Sequence, residues 1–174
     1  NRDSKVSFFV INLSVIMLIL AGISLVMWII LIFFRGGFWR ANQYLTPVKL
    51  PIYKPPEIVV IIPARNEEKS IDLAIQSIIE QDYKGKISII VINDNSHDNT
   101  LNEARKLGLG KDNLLVINGA KLPNGWTGKL WAIEQGINIA KVNFPDALYY
   151  LFTDADIIHD NQNVSQLVTK ALKE

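Results

Sequence analysis

The sequence contains no cysteine, which excludes disulfides, thiolate metal sites and cysteine nucleophiles and is compatible with a reducing compartment. Histidine is scarce as well. His97 and His159 are the two present, and with no metal-ligand spacing to other candidates both read as solvated loop residues. Any metal must therefore be held by oxygen or by these two rings. A formal net charge of +1 leaves no electrostatic footprint for nucleic acid. No G-x-G-x-x-G follows the first apolar run of the C-terminal part, which speaks against a nicotinamide or flavin dehydrogenase. No G-x-x-x-x-G-K-[ST] motif is present either, although Gly128-Lys129 would set one cation near a phosphate. Internal repeats and low-complexity tracts are absent.

Charge is missing altogether between Val6 and Phe34. That run exceeds the roughly 20 residues that cross a hydrocarbon core, so it reads as a transmembrane helix. A cleavable signal has a shorter apolar centre, and a buried core helix rarely runs this long without charge. The same segment accounts for a hydrophobic content of 49% and a mean hydropathy of +0.17. Arg2 and Lys5 precede it, whereas Arg35, Arg40, Lys49 and Lys54 follow, which places the larger part of the chain in the cytoplasm. Phe33, Phe34, Phe38 and Trp39 form an aromatic belt at the exit. The expected organisation is a membrane anchor over 1–39, a stiff juxtamembrane linker over 40–56 carrying Pro47, Pro51, Pro55 and Pro56, and a domain over 57–174, all in an inner or plasma membrane setting.

That domain alternates between two periodicities. Glu57 to Ile62 is, after its first residue, a continuous β-branched run, the pattern of a central parallel strand covered on both faces. Pro63-Ala64-Arg65-Asn66-Glu67-Glu68 follows, with Asn66 as the expected N-cap of a helix whose Ile71, Ala74, Ile75, Ile78 and Ile79 share one face. Ile87 to Ile92 predicts a second strand, closed by the polar cluster Asn93 to Thr100. Thr100 and Glu103 suggest a capping box for a helix ending at Gly108. A third strand is expected over Leu114 to Ile117, and a turn-rich loop, Leu122 to Lys129, leads into a helix through Trp131, Ala132, Gln135 and Ile139. Ala147 to Phe152 reads as a fourth, buried strand, followed by a last helix over Asn163 to Lys173. Strands alternating with helices imply an α/β fold with a mainly parallel sheet and right-handed crossovers, whose ligands bind at the carboxyl ends of the strands.

Three polar clusters meet at that rim: Arg65-Asn66-Glu67, Asn93-Asp94 and Thr153-Asp154-Ala155-Asp156. A turn after the fourth strand would aim Asp154 and Asp156 at one ion. Oxygen ligands suit Mg²⁺ or Mn²⁺, which take one or two carboxylates and complete their shells with water and substrate phosphates. The competing reading of the Asp pair is capping of a helix beginning near Asp160. Asn66 as a cap, an Asx turn over Asn93 to Ser96 and packing of Trp126 are likewise alternatives to function.

With these residues assembled, the chain resembles the family 2 glycosyltransferases of GT-A fold. The matching pieces are Pro63 to Glu68, Asp94-x-Ser96-x-Asp98-x-Thr100, Gly128-Lys129 and Asp154-x-Asp156. Arg35-Gly36-Gly37-Phe38-Trp39-Arg40-Ala41, Gly125-Trp126-x-Gly128-Lys129-Leu130-Trp131-Ala132 and Thr153-Asp154-Ala155-Asp156-Ile157 with His159 make it most similar to the hopene-associated glycosyltransferases. The resemblance implies sugar transfer with inversion from a nucleotide-diphosphate donor, UDP-sugar in the first instance, to a lipid acceptor of hopanoid or polyprenoid type. It implies a donor site of Pro63, Ala64, Arg65, Asn66, Glu67, Asp94, Trp126, Lys129 and Asp154. Within it, Asp94 would meet the nucleobase, Trp126 would help wall the site and Lys129 would meet the nucleotide or its diphosphate. Asp154 would contact the ribose or metal waters, and Asp156 the divalent Mn²⁺ or Mg²⁺. Two departures stand out. Asn93 occupies a place where many members carry an acid, and only 18 residues follow Asp156, whereas the family draws its general base from the region beyond. With no initial Met, the chain is expected to be a fragment whose base lies past Glu174. A nucleotidyltransferase-like enzyme and a non-catalytic nucleotide-sugar-binding module are the alternatives to a glycosyltransferase.

Overall fold

The structure, a computed structural model, describes residues 2–35 and 54–173, with side chains over 12–35 and 54–173. Phe38, Trp39, Arg40, Lys49, the 36–41 part of the Arg35–Ala41 motif and most of the proline-rich linker lie outside the described residues. The chain forms two compact units, divided between Tyr44 and Leu45.

In the first unit, α1 runs from Arg2 to Phe34. Its stretch Asn12–Phe34, 23 residues at a mean hydropathy of 3.0, is long and apolar enough to cross a membrane. At 1.5 Å per residue this stretch is about 35 Å long, matching a bilayer core of roughly 30 Å with modest tilt. Its apolar side chains are exposed, Leu18 by 75% and Phe34 by 79%, which is the opposite of a core helix.

The second unit is built on four parallel strands in the order β3-β2-β1-β4. They are β1 (Ile58–Ala64), β2 (Ile87–Asn93), β3 (Leu114–Asn118) and β4 (Tyr149–Phe152). Register aligns Ala64 with Asn93 and Asn93 with Asn118, so three strands end level. The continuous apolar run of β1 follows from cover on both faces. Ile58, Val60, Ile62 and Ala64 pack with α2 (Ile71–Ile79), α3 (Thr100–Gly108) and α5 (Asn163–Ala171), while Val59 and Ile61 pack with α4 (Gly128–Asn143). Burying each such Ile or Val contributes about 1.5–3 kcal/mol, which anchors the sheet between its helical layers. The chain moves from β1 outward to β3, then α4 returns it across the other face to β4 on the far side of β1. Beside β1 the strand order reverses, and that is where an open parallel sheet leaves a crevice.

Local differences from the sequence expectations have identifiable causes. The fourth strand begins at Tyr149 and pairs with β1 alone among the described residues, leaving Phe152 47% exposed. An apolar run signals a strand but does not say whether it lies at the centre or the edge. Ser70, not Asn66, is the N-cap of α2, and Asn99, not Thr100, is the N-cap of α3. In both cases the expected cap side chain is used between loops, as described next.

Candidate functional site

A cavity of about 330 Å³ opens at the carboxyl ends of the strands. Pro63, Ala64, Arg65 and Glu67 reach it from the end of β1, Asp94 from β2, and Asp154 and Asp156 from β4. Gly128 and Lys129 enter from the start of α4. Eight of the ten predicted site residues therefore line one cavity. Asn66 does not line it, and neither does Trp126, which is 42% exposed and packs edge-on against Trp131 with ring centroids 5.4 Å apart.

The two aspartates after β4 are separated by Ala155, whose side chain is buried in the core at 3% exposure. With the middle residue turned inward, its neighbours Asp154 and Asp156 face the cavity. They do not cap a helix: α5 starts at Asn163, its N-cap is Gln162, and the nearby Gln162 amide donates to Asp160 Oδ1 at 3.0 Å. Lys129 Nζ lies 2.6 Å from Asp154 Oδ1, and Arg65 Nη1 lies 3.5 Å from Asp94 Oδ2. Asp94 is fixed further by its own amide, which donates to the Ala64 carbonyl at 2.8 Å. Glycine at position 128 is a steric requirement, because a Cβ there would collide with Asp94 Oδ2. The first turn of α4 carries no acid of its own and Thr127 makes no side-chain cap bond, so the positive end of the helix borders the cavity beside the Asp94 carboxylate.

Sequence reasoning missed the device that holds this rim together. Asn66 and Asn95 adopt left-handed backbone, with φ of 57° and 50°. That conformation lets their loops interlock. The Asn66 amide donates to Ser96 Oγ at 3.0 Å and the His97 amide donates back to Asn66 Oδ1 at 2.9 Å. The Glu67 amide donates to Thr100 Oγ1 at 2.8 Å and the Glu68 amide to Asp98 Oδ2 at 3.2 Å. The Thr100 hydroxyl beside Asp98, with the amides of Thr100 and Glu68, holds the Asp98 carboxyl below the usual carboxylate range. Ser96, Asp98 and Thr100, spaced two apart, are thus a clasp on the backbone that carries Arg65 and Glu67. The spacing was visible in the sequence, but its partner loop was not.

Asn93 is 3% exposed and its amide nitrogen donates to Asn118 Oδ1 at 2.7 Å, inside the sheet end and off the cavity wall. His159 is a further correction to the sequence reading, since it is not a solvated loop residue. Its Nε2 meets Thr153 Oγ1 at 2.7 Å and its Nδ1 meets Asn163 Nδ2 at 3.2 Å, while its amide donates to Ser77 Oγ at 3.1 Å. The loop after β4 folds down over α2, which the ring's polarity alone does not reveal. Burial lowers its pKa from 6.5.

The donor set fits a hard divalent ion completed by substrate. Among the described residues no group of three or more His, Cys, Asp or Glu side chains is arranged to hold a metal. Asp154 and Asp156 alone would be a sparse cage for a resident ion, yet one or two carboxylates plus phosphate oxygens is the usual company of Mg²⁺ or Mn²⁺ at a nucleotide.

Solved structures share this architecture. A mannosyltransferase from Pyrobaculum calidifontis, in complex with GDP-Man and Mn²⁺, superposes with a TM-score of 0.56 at 22% identity, over 76% of this chain and 36% of that one. Staphylococcus aureus TarS 1-349, in complex with UDP, gives 0.50 at 24% identity over 67% of this chain and 32% of that one. By sequence, the 4,4'-diaponeurosporenoate glycosyltransferase of Staphylococcus haemolyticus is 33% identical over 114 residues, 66% of this chain and 28% of that protein. Its Staphylococcus aureus (strain USA300) counterpart is 37% identical over 100 residues, 58% of this chain and 24% of that protein. The chain thus spans about a quarter of the length of these relatives. Residues 59–174, which carry the cavity and every strand and helix of the second unit apart from the first residue of β1, match the model of glycosyl transferase family 2, and the chain belongs to that family, in the GT-A fold.

Proposed function

We propose that the chain is the donor-binding part of a membrane-anchored, inverting glycosyltransferase that moves a sugar from a nucleotide diphosphate to a lipid acceptor. The observation that carries this is the cavity in which Asp154, Asp156 and Lys129 converge at the start of α4. A helix N-terminus and an ammonium beside two carboxylates suit a diphosphate that arrives with a divalent ion. In this reading Asp94 meets the nucleobase, Lys129 the diphosphate, Asp154 the ribose or metal waters, and Asp156 the Mn²⁺ or Mg²⁺. When bound, the ion would neutralise charge developing on the departing diphosphate. Arg65 and Glu67, held by the clasp, shape the donor site. Trp126 walls it only if its loop moves inward on binding.

The base that takes the acceptor proton is assigned to chain beyond Glu174, in keeping with relatives about four times as long as the matched region. A lipid acceptor, of hopanoid or polyprenoid type, is supported by the apolar span Asn12–Phe34 and by relatives named for 4,4'-diaponeurosporenoate. A cytoplasmic location of the domain rests on the basic residues after that span. A reporter fused after Glu174 that registered on the opposite side would reverse the topology.

Calorimetry on the folded chain in detergent, with UDP and GDP titrated in the presence and absence of Mn²⁺, tests the function. Binding that requires Mn²⁺ is expected. Folded protein that binds neither nucleotide with Mn²⁺ would remove the donor-site assignment.

A further inference from the structure

Six ionisable side chains line the cavity: Arg65 and Lys129 are cationic, and Glu67, Asp94, Asp154 and Asp156 are anionic, a formal charge of −2. Such a site repels a diphosphate on its own. It also does not offer a divalent ion its carboxylates free of charge, because Lys129 Nζ sits 2.6 Å from Asp154 Oδ1. Lysine in the first turn of α4 lies at the end of the helix where the dipole disfavours a cation. A partner of opposite charge offsets that, and here the partner is Asp154.

We propose that Lys129 and a divalent ion are alternative partners of Asp154, so that the ion is taken up tightly only together with a diphosphate that draws Lys129 away. An ammonium and a divalent ion on one carboxylate repel each other more than an exposed ion pair returns, so one must leave. Lys129 has somewhere to go only when phosphate oxygens are within reach. Its side chain is 59% exposed and that of Asp154 is 52% exposed, so the swap moves no buried group. Metal and nucleotide then bind with positive coupling, and by linkage each strengthens the other by the same factor. The inference rests on the donor-site reading above and adds the order in which that site fills.

The test measures Mn²⁺ affinity by electron paramagnetic resonance on the full chain in detergent, with Mn²⁺ alone and with saturating UDP. Lys129→Met keeps the length of the side chain and removes its charge. It should bind Mn²⁺ alone about two- to fivefold more tightly than the parent, the range an exposed ion pair is worth. The factor by which UDP improves Mn²⁺ binding should fall at least as much. Lys129→Arg should behave as the parent does, and Lys86→Met, which removes the same charge beside Glu57 at the amino end of the sheet, should leave Mn²⁺ binding alone unchanged. Mn²⁺ binding alone that is no tighter in Lys129→Met, including undetectable binding in both chains, overturns the proposal, as does an equal gain in Lys86→Met. Failure of the donor-site reading gives a different result: the parent then shows no Mn²⁺-dependent UDP binding at all.

Discussion

The backbone amide of Glu67 donates to the hydroxyl of Thr100, 33 residues away, at 2.8 Å, and the same hydroxyl donates to Asp98 Oδ1. Thr100 is fully buried, so neither bond has water as a ready substitute. Thr100→Val keeps the shape and leaves the Glu67 amide without its acceptor, a loss of about 1–3 kcal/mol. Because Glu67 and Arg65 line the cavity, nucleotide affinity should fall with stability, and Thr100→Ser should restore both. Urea unfolding and calorimetry on the same preparations check this; a Val variant as stable as the parent would show the clasp to be idle.

Gly136 sits where α4 crosses β1, and a Cβ there would lie 2.5 Å from Ile61 Cγ2. Replacing glycine by alanine inside a helix normally gains about 1 kcal/mol. Here the obstacle is a β-branched residue at 0% exposure in the central strand, which has no room to turn away. Overpacking of this kind costs about 1–3 kcal/mol, so Gly136→Ala should be net destabilising. A raised melting temperature would contradict the close approach.

The layered architecture was legible because every β1 residue except Pro63 is buried, on one face or the other, and continuous β-branched runs arise from that circumstance. The rim was legible for the same reason, since a parallel sheet delivers the residues after its strands to one end. Loop partnership was not legible. Asn66 and Thr100 are good cap residues, and nothing local to either shows that left-handed backbone at Asn66 and Asn95 turns them toward each other's loops. The setting of His159 was hidden for a related reason, because its burial comes from Ser77 and Asn163 on two different helices.

Asp156→Asn preserves the size of an exposed side chain while removing its charge. If Asp156 holds the divalent ion, Mn²⁺ affinity in the presence of UDP should drop by at least the roughly 10- to 100-fold that outer-shell changes at metal sites cost. Circular dichroism should be unchanged, since the core neighbour is Ala155 and not Asp156. Equal Mn²⁺-stimulated nucleotide binding by variant and parent would take the metal role away from Asp156.

His159 supplies a pH dependence whose sign follows from its burial. Its Nδ1 meets the Asn163 side-chain amide at 3.2 Å and its Nε2 meets the Thr153 hydroxyl at 2.7 Å, in a partly buried setting. The folded protein therefore holds the neutral ring, and burial lowers its pKa from 6.5. Protonation would put a charge into that partly buried setting, which burial disfavours. An unfolded chain has no such penalty and takes up the proton first. Stability from this group is thus fully present above about pH 6.5 and is lost as pH falls toward the lowered folded-state pKa. His159→Gln keeps a polar group in place without a titration in this range, so the difference in unfolding free energy between parent and variant should shrink on going from pH 7.5 to pH 5. A difference that stays constant across that interval would show that His159 titrates alike in the folded and unfolded chains.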